Sequence, residues 1–349
     1  MRNHGKHLRS LIGLDIGRSS VKAVQVTAQS RGPRLDGTLC IRRAQDGYGL
    51  QDDEAERLIR IMRRRGLDAT RIALVAQSDA LISTSINLPS ADRGASRDAI
   101  VKMELTRAHR LVPGGFEYAW WDLPASASGG KVAQAHAVAL QHAKVDPTLA
   151  CIDRLGLEVA RTVPGSVALQ AAAQRRPIDP RRIVAVMDLG SRAAHLVLLH
   201  AGRVVHERDL PEFNATGLQQ RLQEHTGVGA HLVTAALGRY GLSDEPEGVI
   251  CSELGVMLHE AVAELCEQIG MSFAFISHLY PDAELGPLLM VGGPASVPGL
   301  AQTLSRELEL EASVMVPADL CANPHALSEA CDPRLTAALG AALTMGGTP

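Results

Sequence analysis

Apolar and polar positions alternate in short blocks along this chain, and one block occurs twice. Leu11, Ile12, Leu14 and Ile16 form an apolar run carrying Asp15-Ile16-Gly17; three polar residues follow, and the run resumes as Val21, Ala23, Val24 and Val26. Both flanks read as strands, so Gly17, Arg18, Ser19 and Ser20 sit at the tip of a β-hairpin. Backbone N–H groups and hydroxyls at such a tip can hold an anion, and an aspartate there can hold a hydrated metal that neutralises it. A single Asp-x-Gly is also an ordinary turn, since both residues are common turn formers. The second copy changes the weighing. Val184, Ala185, Val186 and Met187 lead into Asp188-Leu189-Gly190, then Ser191 and Arg192, and the apolar run resumes over 195–199. Ala201-Gly202-Arg203 makes a further turn, and Val204-Val205 opens a third strand. A later strand over 288–291 meets Gly292-Gly293-Pro294-Ala295, with a helix beginning near Pro298. Glycines there let the backbone approach a flat nucleoside closely.

The rest of the chain reads as alternating helices and strands. Residues 34–43, 71–76 and 81–88 read as strands, and 45–51 as a glycine-containing loop. Residues 52–65 form a helix that is acid-first and basic-last, with Gly66 suited to its C-terminal cap. Its closing Arg63-Arg64-Arg65 reads as a solvated helix end, the alternative being an anion site. From Leu88 the order is helix (92–111), strand (118–123), small-residue turn (125–130), strand (132–140), helix (142–155) and strand (156–160). The adjacent Trp120 and Trp121 either form part of an interaction surface or, because strand faces alternate, place one of the two in the core. An alanine-rich helix spans 164–176, and Pro177 and Pro180 mark a hinge. Helices at 210–223 and 231–240, a loop at 241–248 and a long amphipathic helix at 253–270 follow. Helix 300–308, strand 312–316 and a closing helix at 334–343 complete the chain.

Length and composition narrow the class. At 349 residues two major lobes are expected. A hydrophobic content of 46% with 21% charged residues is that of a folded protein. A net charge of −3 gives no general reason to expect nucleic acid, and 3% aromatic residues leaves few stacking platforms. Cys40, Cys151, Cys251, Cys266, Cys321 and Cys331 form no Cys-x-x-Cys pair, so they read as reduced, mostly buried thiols of a cytosolic protein. Residues 1–10 read as a flexible tail rather than a signal peptide; His4 and His7 within it are most simply inert. No run approaches the roughly 20 apolar residues that span a bilayer. No nucleophile elbow, zinc-protease or P-loop motif is present, and the other histidines read as surface or satisfied core.

Two Asp-x-Gly hairpins and a late Gly-Gly turn resemble the actin-like ATPase superfamily, which includes actin, sugar kinases and FtsA. Within it the chain is most similar to the PilM family of type IV pilus assembly and its relatives in type II secretion and MSHA-type pili, from about Leu8 to the end, so the machine served is a type IV pilus or a related secretion system. The resemblance rests on Leu14 to Lys22, on Asp188-Leu189-Gly190, on Val291 to Leu300, and on the segment inserted after Leu88. It implies an α/β, actin-like two-lobed fold of ribonuclease H-like duplicated domains, with a small inserted α+β subdomain in the first lobe. The implied division is a tail (1–10), a first lobe (11–87 with 165–180 and 334–349), the inserted subdomain (88–164) and a second lobe (181–333). It further implies ATP with Mg²⁺ held between the two hairpins. Asp15, Gly17, Arg18, Ser19, Ser20, Lys22, Asp188, Gly190, Ser191 and Arg192 would be on the phosphate side, with Asp15 and Asp188 holding the metal through water. Gly292, Gly293, Pro294 and Ala295 would lie against the nucleoside.

By the same resemblance the inserted subdomain contributes to a groove for the short cytoplasmic peptide of a PilN-like inner-membrane partner. The protein itself would then be cytoplasmic, with self-association open, no nucleic acid, and membrane contact only through that partner. The chain departs from the family pattern at Arg18, at Arg192, Ala193 and Ala194 where small hydroxyl residues are expected, and at Pro294 where a third glycine is common. Arginines near both hairpins either add charge-assisted contacts to phosphate or fill the space of a lost nucleotide. The expectation is therefore at most a weak ATPase. The alternatives are a degenerate scaffold that no longer binds nucleotide, an FtsA-like division filament, and a small-molecule kinase. The short, glycine-containing C-terminus, with no basic amphipathic face, disfavours the filament.

Overall fold

The computed structural model describes residues 9–43, 50, 52–76, 78–89, 96–126, 133–211, 213–242, 249–323 and 327–344. His4, His7 and most of the loops read at 45–51, 125–130 and 241–248 lie outside the described residues. The first elements are β1 (Ile12–Ile16), β2 (Ser20–Thr27), β3 (Arg34–Arg42), α1 (Asp52–Arg64), β4 (Arg71–Ala76), β5 (Leu81–Leu88), α2 (Arg97–His109), β6 (Phe116–Asp122), β7 (Ala133–Gln141), α3 (His142–Arg154), β8 (Glu158–Pro164) and α4 (Gly165–Ala173). Next come β9 (Arg182–Leu189), β10 (Ala194–His200), β11 (Arg203–Leu210), α5 (Ala215–Thr226), α6 (Ala230–Arg239) and α7 (Val249–Leu279). β12 (Glu284–Gly292), α8 (Leu300–Leu308), β13 (Ala312–Val314), α9 (Pro317–Leu320) and α10 (Thr336–Leu343) close the chain.

The protein forms two compact units. The first runs to Pro177 and takes in Arg203–Val205 and the chain from Val316; the second holds Ile178–Gly202 and His206–Met315. The first unit is built on a sheet of order β3-β2-β1-β4-β8, in which β1–β2 and β2–β3 are antiparallel and β1–β4 and β4–β8 parallel. The second sheet repeats that order as β11-β10-β9-β12-β13, with β9–β10 antiparallel and β9–β12 and β12–β13 parallel. Hairpin tips join the antiparallel strands, while parallel neighbours need crossovers through helices such as α1 and α8. The repeat read in the sequence is thus a repeat of topology.

A third, antiparallel sheet of order β5-β7-β6 lies between β4 and β8 in the chain. Val101 and Leu105 of α2 pack there with Leu88, Phe116, Ala135, Ala137 and Ala139. This corrects the boundaries of the inserted segment. Residues 81–87, expected in the first lobe, belong to β5, which pairs with β7 throughout. Conversely, 158–164 was expected in the insertion, yet β8 hydrogen-bonds to β4 on the main sheet. Helix α3 goes with β8, placing Val145, Cys151 and Ile152 in the core of the main sheet. The chain is also part of the first unit from Val316, earlier than Arg334, because Ala322 donates to the Pro33 carbonyl and Asn323 bonds Leu35 in both directions. Arg9 and Ser10, expected in the tail, are tied down: Ser10 bonds Val26 through its N–H and its hydroxyl, and Arg9 pairs with Asp68.

Helix α1 shows how the pattern makes the core. Ala55, Leu58 and Met62 recur every three or four residues and are buried against Ile12, Leu14, Ile72 and Leu74. Each large side chain so covered contributes roughly 1.5–3 kcal/mol. Helix α7 is longer than the 253–270 expected from sequence, because Gly270 lies within it and apolar spacing continues through Phe273 and Ile276 to Tyr280. No helix among the described residues is long and apolar enough to cross a membrane. The tryptophans differ from expectation too, since both are half-buried. The Trp120 indole N–H donates to Asp98 under the Arg97 guanidinium, and Trp121 stacks on His136. Of the described cysteines only Cys151 is buried. Burial still pushes the Cys266 thiol up to about 11 and the Cys321 thiol to about 12, so neither is a nucleophile at neutral pH.

Candidate functional site

In the first unit the register of β1 and β2 sets Asp15 directly opposite Lys22. Opposed residues of an antiparallel pair share a face, and Lys22 Nζ lies 2.9 Å from Asp15 Oδ2, with side chains 13% and 18% exposed. Lys22 is therefore the covered partner of Asp15 rather than an exposed strand lysine. The tip is closed from within: the Gly17 N–H donates to the Ser20 carbonyl at 3.0 Å, and Ser20 is buried. That donor faces into the turn. Arg18 pairs with Asp79 at 3.3 Å, from the short turn Ser78–Ala80. Behind the tip stands Arg43, only 3% exposed. Its N–H donates to the Ser19 carbonyl, its guanidinium to the Gly17 carbonyl at 3.2 Å and to Glu54 of α1 at 3.1 Å.

The second hairpin repeats this construction. The Gly190 N–H donates to the Ala193 carbonyl at 3.1 Å, as Gly17 does to Ser20, and Asp188 stands opposite His195, as Asp15 does opposite Lys22. His195 is the second cation. Its Nδ1 lies 2.6 Å from Asp209 and its Nε2 3.2 Å from Glu207, both on β11. Burial pulls the imidazole down, but hydrogen bonds to Asp209 and Glu207 outweigh it and lift its pKa to about 10. It is thus an imidazolium at neutral pH. Amides of the first turn of α5, Ala215 and Thr216, donate to the Gly190 and Ser191 carbonyls and hold the loop down. Ser191 is half-buried and Arg192 exposed.

The late turn belongs to the same unit. Val291 and Gly292 of β12 pair with Asp188 and Leu189 of β9. Gly292 has φ +88°, and a Cβ there would stand 2.4 Å from the Leu189 carbonyl oxygen and 2.7 Å from Asp188 Oδ1. Only glycine allows that approach. Gly293–Ser296 make one tight turn with Ala295 buried, and the helix expected near Pro298 starts at Leu300. In the second unit Asp188, which leads into Gly190, Ser191 and Arg192, therefore stands against Gly292, which leads into Gly293, Pro294 and Ala295. The first gathers Asp15, Gly17, Arg18, Ser19, Ser20 and Lys22. Among the described residues no three acidic, histidine or cysteine side chains are grouped to ligate a metal directly.

Sequence reasoning missed Arg43, Glu54, Asp79, His195, Glu207 and Asp209. One follows into a prediction. Arg43→Lys keeps the charge, but one ammonium cannot serve the Gly17 carbonyl and Glu54 as the planar fork does. We expect a loss of about 1–2 kcal/mol in denaturant unfolding; an unchanged midpoint would show that the fork does not hold the tip.

Residues 13–344 match the family described as type IV pilus assembly protein PilM. No curated protein sequence matches the chain. Among solved structures it is similar to the PilM-PilN type IV pilus biogenesis complex, at TM-score 0.77 and 18% identity over 96% of this chain and 98% of that one. It is also similar to the ethanolamine utilization protein EutJ from Carboxydothermus hydrogenoformans, at TM-score 0.54 and 16% identity over 98% and 91%. At such identities the likeness is one of fold, and that fold is the actin-like α/β architecture. With nearly its whole length matched, the chain belongs to the type IV pilus assembly protein PilM family.

Proposed function

We propose that this protein is a cytoplasmic, ATP-binding scaffold of type IV pilus assembly that grips the cytoplasmic tail of a PilN-like inner-membrane protein. The observation that carries the nucleotide is the repeated device itself: in each half an aspartate is opposed by a cation across a hairpin whose glycine closes the tip in the same way. The donor set fits a polyphosphate. Lys22, Ser19 and Arg18 of the first half, with Ser191 and Arg192 of the second, are the groups proposed for its oxygens. Asp15 and Asp188 would hold Mg²⁺ through water. Gly292, Gly293, Pro294 and Ala295 are proposed for the nucleoside. Bound ATP would supply the negative charge that these cations neutralise. The role of the chain is to hold it, and no turnover is built into the proposal.

Family membership and the shared fold with a solved PilM-PilN complex support the peptide partner. Membrane contact would then come through that partner, and the sheet β5-β7-β6 with α2 is the part proposed to receive its peptide. A second reading has its own observation. Ala193 and Ala194 offer no hydroxyl, and Arg18 is already paired with Asp79, which is what a scaffold that has abandoned nucleotide would show. Calorimetric titration with ATP and Mg²⁺ separates the two. We expect micromolar binding, weakened about tenfold or more by Asp15→Ala, which removes the ion pair to Lys22 and the carboxylate proposed for the metal. Absence of heat at millimolar nucleotide would leave the second reading standing.

A further inference from the structure

Helix α1 carries a basic face that neither hairpin uses. Arg60, Arg63 and Arg64 are spaced three and four residues apart, so they share the side of the helix opposite the buried Leu58 and Met62. With Arg154, at the end of α3, they line a shallow depression of about 600 Å³, open to solvent, together with Glu56, Ile59 and Leu155. Ile59 and Leu155 are half-buried aliphatic residues seated on the core of the main sheet. The four arginines are exposed. Arg154 has a partner, Asp52 at 3.1 Å. No carboxylate among the described residues pairs with Arg60, Arg63 or Arg64. Complementing the helix dipole accounts for basic residues in the last turn of α1. It does not account for their grouping, with Arg60 and the arginine of a second helix, around a depression that two aliphatic side chains also line.

We propose that this concavity is a docking site for an acidic segment of a protein partner, with an aliphatic side chain on Ile59 and Leu155 and carboxylates on the arginines. Guanidinium forks suit carboxylates because each offers two parallel donors. The charge pattern selects a peptide over an anionic bilayer. Asp52, Asp53 and Glu54 occupy the first turn of the same helix, and Glu56 lines the depression. A uniformly anionic surface would press against those acids as well as the arginines, while a peptide can place its carboxylates only where cations wait. With a net charge of −3 for the chain, the attraction is local.

The site is independent of nucleotide, so the test is run without it and its failure leaves the ATP reading untouched. The probe is a short fluorescein-labelled peptide of glutamates interspersed with leucines, followed by anisotropy with the full chain. A matched peptide has serine for leucine. Saturable binding is expected, about tenfold weaker for R60E/R63E/R64E and strongly reduced near 0.5 M salt, where the screening length falls to roughly 4 Å. The leucine peptide should bind several-fold better than the serine one. Because the three arginines are exposed, the variant should melt with the wild type; R60Q/R63Q/R64Q serves if charge reversal impairs folding. Equal binding by the variant overturns the proposal, as does equal binding of both peptides. Vesicles of phosphatidylglycerol bound through the same arginines, with neither peptide bound, would reassign the face to lipid.

Discussion

Gly340→Val is expected to destabilise the protein by about 3 kcal/mol or more and to lower its melting midpoint by roughly 6–12 °C. A Cβ at residue 340 would stand 1.9 Å from the Ala168 carbonyl oxygen and 2.6 Å from its carbon. Both are backbone atoms of α4, so no rotamer change relieves the clash and one helix must move. Movement is costly here because Thr336 to Ala342 are all buried, leaving α10 no solvent side toward which to shift. The same helix packs against β1 and β2, the strands that carry Asp15 and Lys22. Displacement should therefore weaken nucleotide binding as well as stability, although residue 340 is not among the proposed binding groups. Gly238→Ala is the control. That glycine lies in α6, where an added Cβ would meet no heavy atom within 4 Å, so the change should be neutral or stabilising by a few tenths of a kcal/mol. Thermal melts followed by circular dichroism decide the matter. If Gly340→Val melts with the wild type, α4 and α10 do not approach at backbone distance.

The duplication was legible in the sequence because its signal is local. An apolar run, Asp-x-Gly, and a second run specify a hairpin from neighbouring residues alone, and the match of both five-stranded sheets follows from having that unit twice. Strand partners were not legible. Leu81–Leu88 and Glu158–Pro164 both read as strands, but periodicity names an element and not its neighbour, so their assignment to the two sheets of the first unit was exchanged. The Asp15–Lys22 contact sits midway. It follows from counting outward from the hairpin tip, and the strand reading already contained it. His195 was hidden because it opens an apolar run, and because Glu207 and Asp209 acquire meaning only once β11 lies beside β10. The arginines of α1 read as a helix end for a similar reason, since the concavity needs Arg154 from another helix.

His195→Gln should cost about 3–4 kcal/mol near pH 6.5, and the cost should shrink as pH rises. The folded-state pKa, near 10, stands above the ordinary value of 6.5. Stability from this group is then complete below about pH 6.5 and is lost as pH climbs toward 10, at up to 1.36 kcal/mol per unit for one proton. Glu207, 7% exposed, loses its cation in the variant, whereas Asp209, 48% exposed, is partly rescued by water. Urea unfolding at pH 6.5, 8 and 9.5 should show the wild type converging on the variant; a constant gap would mean that the imidazole is neutral and acts by shape. The position of His195 adds a second readout. It opposes Asp188 where Lys22 opposes Asp15, so a cation that serves the second hairpin should, when removed, weaken ATP binding about tenfold at a pH where the variant is still folded. Loss of stability with unaltered binding would make the imidazolium a brace between β10 and β11. Loss of both would make it the second-half equivalent of Lys22, supplied by a residue that is a cation only because two carboxylates hold its proton.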